Sequence, residues 1–571
     1  VTSPTRRWDL FVAALLFLAT AAFVLWQNAH IAVLWDLSYL LDTSWRIALG
    51  QMPYRDFPLV HPPVTFLIQA AIMRLAGRYY WLQIAYAALA GGLGTVLAWR
   101  IVLRILKGIR HAWAISLMLA APLVVLGIYS VYPHPIYDGD CALAVLAAVW
   151  MVQRLSSRGP TTSSTFRSRL AVLVAGAAVV LPVFIKQNIG LPFLFVVVFS
   201  LALLLVLHWT GRAPEPSAAP VWMRLLAAIG SMLMLGLLGI QLTAGLGNYL
   251  HWTVQFAAQR RLPGLATVFG AYRDSSLLWT LPCAACGLLL LLLPAARRVW
   301  IQALAYILIA APFAATLLFL FNNDDRGDRA DSLLSLWPLL LLTTAAVAVL
   351  ELRKGVTLAR LMPFAILAAI QGTFLSQSLE GSTYAIWPLL ILLVAGALAA
   401  IPPAAQKLAP YLAATVSVTF LFCGGLYSVS RDRMDYVDTP EGPAVHATLP
   451  ALIGMATPGP YLPEFEELVR YANRQIPTQD ALLIFPGEDP FYFATGRMPQ
   501  FPVLLFDPTT DPYSPKALLA EAGNQGVRWV IVKTHRQSIE DVMPDKAETL
   551  ALMQRQFHLY KKLAAYDIYR R

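Results

Sequence analysis

Long apolar runs separated by short polar stretches dominate the chain up to about residue 429. A run of about 20 apolar residues is long enough to cross the hydrocarbon core of a bilayer as a helix. Such windows lie near 10–29, 81–103, 112–130, 140–154, 169–185, 190–208, 222–244, 277–293, 300–321, 333–350, 361–377, 384–400 and 410–428. They predict an all-α polytopic membrane bundle of about 13 transmembrane helices over residues 1–428. The first window lacks a small-residue cleavage site and reads as an anchor rather than a removed leader. Between the first two windows, residues 30–80 alternate acidic, aromatic and proline positions. Asp36–Leu49 and Val64–Leu75 there have the apolar spacing of helices lying on the membrane surface, with Gly50 placed to stop the first.

Beyond 429 the pattern becomes that of a water-soluble fold. A helix opens near Pro463, strands are predicted at Ala481–Phe485, Val503–Phe506 and Val527–Lys533, and Ser514-Pro515 caps a helix through Glu521. The alternation predicts a small α/β domain over 429–571. It contains no GxGxxG or GxxxxGK[ST] phosphate loop, so nucleotide binding has no support.

Composition agrees with the pattern: 58% of residues are hydrophobic and 13% charged, with mean hydropathy +0.61. That excludes a disordered chain and a soluble enzyme. The net charge of +11 is not a nucleic-acid signal, because it is unevenly divided. Up to 429 there are 28 basic and 14 acidic residues; beyond it, 15 and 18. The basic excess gathers in alternate loops, placing the N-terminus in the cytoplasm and the C-terminal domain outside a plasma (inner) membrane. Cys283 and Cys286 form a CxxC inside an apolar helix, where packing is the simplest reading.

Candidate chemistry concentrates in the outer loops. Asp36 follows the first window at the water–lipid boundary, where a partly desolvated carboxylate can act as a base on a hydroxyl. It equally suits a helix cap. Asp42 lies about 240° around the helix from Asp36 and need not share its face. Asp56 follows a Pro-Tyr-Arg turn, ahead of His61-Pro62-Pro63. Asp138-Gly139-Asp140 sets two carboxylates close together, which suits a divalent cation or a hydrogen-bonded acceptor. Lys186-Gln187-Asn188 forms a polar break between two windows, and Arg260-Arg261 sit in the next outer loop; all suit a lipid phosphate. Asn322–Arg326 adds an exposed acidic loop.

With these features the sequence resembles the GT-C superfamily of membrane glycosyltransferases, near the dolichyl-phosphate-mannose and aminoarabinose transferase type. The resemblance rests on Asp36 opening the first outer loop, which runs through Gly50-Gln51 and Pro53-Tyr54-Arg55-Asp56-Phe57 to a proline pair. It rests also on Asp138-Gly139-Asp140, on Lys186-Gln187-Asn188-x-Gly190, and on an outer tail with Phe491–Arg497. His61-Pro62-Pro63 departs from the commoner aromatic-proline pattern. The resemblance implies transfer of a sugar from a polyprenyl-phosphate donor to a glycan, lipid or protein acceptor outside the cytoplasm, usually with inversion. Asp36 is then the general base. Asp138, Asp140, Asp56 and His61 bind acceptor or metal, and Lys186, Gln187, Arg260 and Arg261 hold the donor phosphate. If a divalent cation (Mg or Mn) takes part, Asp36, Asp138 and Asp140 are its expected ligands. A transporter or lipid flippase, or an O-antigen ligase or polymerase of another fold, are the competing readings.

Overall fold

A computed structural model describes residues 5–571 except 157–165, 213–217, 262–263, 323–331, 376–383, 435 and 540–545. Each predicted window contains helix. Among the described residues, eight helices are long and apolar enough to cross a membrane: Arg7–Asn28, Tyr80–Ile105, Tyr137–Ser156, Arg167–Phe184, Gln187–Trp209, Ala219–Thr243, Val299–Asn322 and Pro403–Val429. Five further apolar helices among the described residues, Val64–Ala76, Leu277–Leu292, Leu336–Leu352, Leu358–Thr373 and Trp387–Ala399, are shorter. The window at 112–130 is not one continuous helix. It breaks into Ala112–Ala120 and Leu123–Leu126 around Pro122, whose ring clashes with the preceding turn and which has no N–H to donate.

The helices that build the site come early in the chain. They are α1 (Thr5–Asn28), α2 (Leu34–Ala48), α3 (Val64–Ala76) and α4 (Tyr80–Ile105), then α5 (Ala112–Ala120), α6 (Leu123–Leu126), α7 (Tyr137–Ser156), α8 (Phe166–Val180) and α9 (Gln187–Trp209). Helices α2 and α3 are the two predicted in the first outer loop. Gly50, at φ +102°, ends the first turn beyond α2 in a conformation that side chains other than glycine rarely adopt. The start of α9 is pinned by close backbone approach: a Cβ on Gly372 would come 2.1 Å from the Asn188 carbonyl oxygen. Glycine at 372 therefore lets the neighbouring helix reach the turn that carries Lys186.

After Val429 the chain builds a four-stranded mixed sheet from β3 (Leu482–Phe485), β4 (Trp529–Lys533), β5 (His558–Lys562) and β6 (Tyr566–Arg570), in the order β3-β4-β6-β5. A two-residue ladder of β1 (Val445–His446) and β2 (Ala456–Thr457) precedes it. β3 pairs parallel with β4, and the remaining pairs are antiparallel. One sheet face packs Leu482, Ile484, Ile531 and Ile568 against helix Tyr461–Gln475, in a cluster that continues into Leu37 and Leu41 of α2. The opposite face packs Leu483, Phe485 and Val530 against helix Pro515–Asn524. The predicted strand Val503–Phe506 does not form: the chain bends at Leu504 and Leu505 and joins no sheet, and the Phe506 N–H donates to the Pro486 carbonyl at 2.8 Å.

Candidate active site

Helix α2 is wedged between the membrane helices and the C-terminal domain, so its two faces have different environments. Ser38, Asp42 and Trp45 recur at helical spacing on one face and all bond the C-terminal domain. Ser38 Oγ donates to the Gly487 carbonyl at 2.5 Å, and Trp45 Nε1 donates to the Arg497 carbonyl at 3.1 Å. The carboxylate of Asp42 accepts the N–H groups of Tyr492 (3.2 Å) and Phe493 (2.6 Å). Arg46 extends this seam with bonds to the Pro502 and Phe501 carbonyls. Burial pushes Asp42 up to about 8, against the two backbone donors, which lower it.

Asp36 lies about 200° away from Ser38 on α2. It is not a cap: Val33 occupies the cap position, and no side chain of α2 caps its own helix. Asp36 Oδ2 instead accepts two phenol hydroxyls, from Tyr132 at 2.8 Å and Tyr436 at 2.7 Å. Among the described residues Oδ1 accepts no hydrogen bond. Desolvation raises the Asp36 pKa, the two tyrosine donors oppose that rise, and the charges of Asp138 and Asp507 reinforce it. The result is a half-buried carboxylate with one anchored and one open oxygen.

Asp138 opens α7 and meets Lys186 in a buried ion pair, with Lys186 only 3% exposed. The ammonium also sits 5.1 Å from the Tyr137 ring centre. Tyr137 stacks on His61 at 3.9 Å, and His61 Nδ1 shares a 2.9 Å hydrogen bond with Tyr39 of α2. Tyr132 stacks on Tyr384 at 5.4 Å. Asp36, Asp138, Lys186 and His61 thus belong to one aromatic-lined cluster. In this cluster Tyr39, Tyr132, Tyr384 and Tyr436 are not among the candidates read from the sequence. Nothing in their local pattern distinguishes them from ordinary loop aromatics.

The other predicted site residues are placed differently. Asp140 is saturated: Tyr86 and Tyr129 donate to Oδ1 and Thr65 to Oδ2, each at 2.6 Å. Gly139 gives the Tyr129 ring room, since a Cβ there would lie 2.5 Å from it. The DxD spacing therefore serves a buried tie among α3, α4 and α7. Asp56 closes its own turn, accepting the Met52 N–H at 2.7 Å and pairing with exposed Arg55, whose hydrogen bond lowers its pKa. Gln187 Nε2 bonds the Val60 (3.3 Å) and Thr253 (3.0 Å) carbonyls, joining the segment between α2 and α3 to the one that carries Thr253, while its buried Oε1 has no partner among the described residues. The side chains of Arg260 and Arg261, and the loop at 323–326, lie outside the described residues.

A divalent cation does not fit this donor set. Lys186 already neutralises Asp138, three hydroxyls occupy Asp140, and among the described residues no three His, Cys, Asp or Glu side chains converge.

No family model matches the chain, and no curated protein matches it. Solved structures do. What they show is the fold alone, a multi-helix membrane bundle with an appended domain. The archaeal oligosaccharyltransferase AglB from Archaeoglobus fulgidus, in complex with an inhibitory peptide and a dolichol-phosphate, aligns with a TM-score of 0.50 and 10% identity, covering 93% of this chain and 70% of that one. An Archaeoglobus fulgidus oligosaccharyltransferase in the apo form gives 0.51 and 11% identity over 92% and 70%. ArnT from Cupriavidus metallidurans bound to undecaprenyl phosphate aligns at 0.43 and 12% identity over 99% and 98%.

Proposed function

We propose that this protein is a membrane glycosyltransferase that moves a sugar from a polyprenyl-phosphate donor to a hydroxyl-bearing glycan, lipid or protein acceptor on the extracytoplasmic face. The observation that carries the reading is Asp36: one oxygen is fixed by two tyrosines, the other is open, and burial raises its basicity. A base held rigidly and tuned upward from the usual carboxylate range suits abstraction of a hydroxyl proton. The tyrosine and histidine rings around it offer flat apolar faces with polar edges, matching a sugar ring.

The reaction follows from these groups. The acceptor oxygen forms its bond to the anomeric carbon as the bond to the donor phosphate breaks on the opposite face, inverting the centre. The acceptor proton passes to Asp36 Oδ1, and the electron pair of the broken bond goes to the phosphate oxygen. Lys186 stabilises that developing charge through its ammonium. Asp138 pairs with the lysine and aims it before the donor arrives.

Purified protein in nanodiscs, supplied with a panel of synthetic decaprenyl-phosphate-linked hexoses and pentoses, tests the reading through release of polyprenyl phosphate. Asp36→Asn preserves size and hydrogen-bond acceptance but cannot take the proton. Turnover is expected to fall about 100-fold or more with normal membrane insertion. Near-normal turnover by Asp36→Asn would remove it as the base.

A further inference from the structure

The chain after the last membrane helix reaches the start of α2 at two places, Asp36 itself and the backbone just before it. Tyr436, seven residues past Val429, donates its hydroxyl directly to Asp36 Oδ2 at 2.7 Å. Gln537, far along in the C-terminal domain, reaches the start of the same helix. Its Oε1 accepts the Leu34 N–H at 2.9 Å, and its Nε2 donates to the Ala32 carbonyl at 2.9 Å and to Thr457 Oγ1 at 3.1 Å. The first N–H groups of a helix have no partner within it, and Val33 has no side-chain oxygen to supply one. Gln537 is therefore a cap delivered from another domain, two residues from Asp36.

The two contacts are also tied to one another. The Asp438 N–H donates to the Gln537 carbonyl at 2.7 Å, and the Ile539 N–H donates to the Tyr436 carbonyl at 3.0 Å, with Val437 and Ser538 forming an isolated β-bridge. Beneath them, Glu488 Oε1 accepts the N–H groups of Gln537 (2.6 Å) and Ser538 (2.8 Å). Arg433 fixes the other end, donating to the Val131 carbonyl at 3.0 Å beside Tyr132. Gln537 is 1% exposed, so this connection is a packed element and not a surface contact.

We infer that Tyr436 and Gln537 are positioning residues for Asp36, and that the C-terminal domain completes the active site by clamping both the carboxylate and the helix that carries it. The inference rests on Asp36 being the base. Through this clamp, docking of the domain and competence of the carboxylate become one event. A carboxylate whose helix start is loosened by even about 1 Å loses near-attack geometry, at a cost of up to about 100-fold in rate.

The test uses the full-length protein in nanodiscs with the decaprenyl-phosphate sugar panel. Tyr436→Phe and Gln537→Ala are each expected to lower kcat about tenfold or more while leaving KM for the lipid donor within about twofold. Because both act on one carboxylate, the double variant is expected to lose less than the product of the single losses. Hydrogen exchange adds a readout independent of turnover: amides of residues 34–37 are expected to exchange faster in Gln537→Ala, with the membrane helices unchanged. Unaltered kcat in both single variants, or a loss confined to KM, would overturn the inference, as would unchanged exchange at the start of α2. Tyr436→Phe removes one oxygen only, so it keeps the test decisive if Gln537→Ala fails to fold. Transfer by Asp36→Asn would overturn the base assignment itself; an inactive Asp36→Asn beside fully active Tyr436→Phe and Gln537→Ala would overturn the clamp alone.

Discussion

The two helices that enter the site, α2 and α7, each carry a pair of carboxylates, and in each pair the members are used differently. Asp42 and Asp140 are saturated, one by two backbone N–H groups and the other by three hydroxyls. Asp36 and Asp138 keep capacity in hand: Asp36 has an open oxygen, and Asp138 holds a lysine that can turn to a second anion. Asp42, Asp138 and Asp140 are all buried and Asp36 is half-buried, so burial alone does not sort the pairs. Under the proposed function, what separates structural from chemical carboxylates is whether both oxygens have donors among the described residues, as in Asp42 and Asp140, or only one does, as in Asp36 and Asp138. A saturated carboxylate ties elements together; an unsaturated one beside a cation and aromatic rings can meet a substrate.

That comparison can be broken most forcefully at Lys186. Removing it by Lys186→Ala leaves Asp138 buried and unpaired, so stability is expected to fall by about 3–5 kcal/mol. Adding Asp138→Asn should recover most of that stability without recovering affinity for the lipid donor, read as thermal melting beside donor KM. Recovery of both would make the pair structural and place it with Asp42 and Asp140.

A crossed pair of substitutions on α2 comes next. Asp36→Asn should cut turnover about 100-fold with an unchanged melting temperature. Asp42→Ala should do the reverse, costing about 1–3 kcal/mol for each stranded N–H and freeing the C-terminal domain for proteolysis. Before the tertiary contacts are considered, Asp42 looks like the milder neighbour of Asp36. Its bonds to Tyr492 and Phe493 make Asp42→Ala an architectural change instead. If the two variants gave the same profile, the two faces of α2 would not be functionally distinct.

A pH effect also belongs to Asp42. With Asp42 near 8 in the folded protein and about 3.9 when unfolded, the folded state binds the extra proton between those values. Its contribution is fully present below about pH 4 and is lost as pH rises through about 8. Melting of the C-terminal domain should therefore weaken from pH 5 to pH 8, and Asp42→Asn should flatten that slope. A slope unchanged by Asp42→Asn would assign the pH dependence to other groups.

Much of this protein was legible along the chain because periodicity is a local property. Apolar windows predicted helices, and the spacing from Asp36 to Leu49 with Gly50 beyond it predicted α2 nearly to the residue. The exception at 112–130 had its cause in the sequence as well, in Pro122. The β5–β6 hairpin and the unpaired Val503–Phe506 were not legible, because pairing depends on neighbours distant in sequence rather than on the segment alone.

The residue types at the site, carboxylates at Asp36 and Asp138 and a cation at Lys186, were also set by the sequence by itself. Their separation into open and saturated groups was decided only by the tertiary structure. Asp36 takes donors from positions 96 and 400 residues away, Asp42 from positions 450 and 451 away, and Asp140 from three different helices or loops. Hydrogen-bond capacity is short-ranged in space and indifferent to distance along the chain. Composition and periodicity could therefore say that these carboxylates exist and on which helix face they stand, while folding alone determined which oxygens would be left to react.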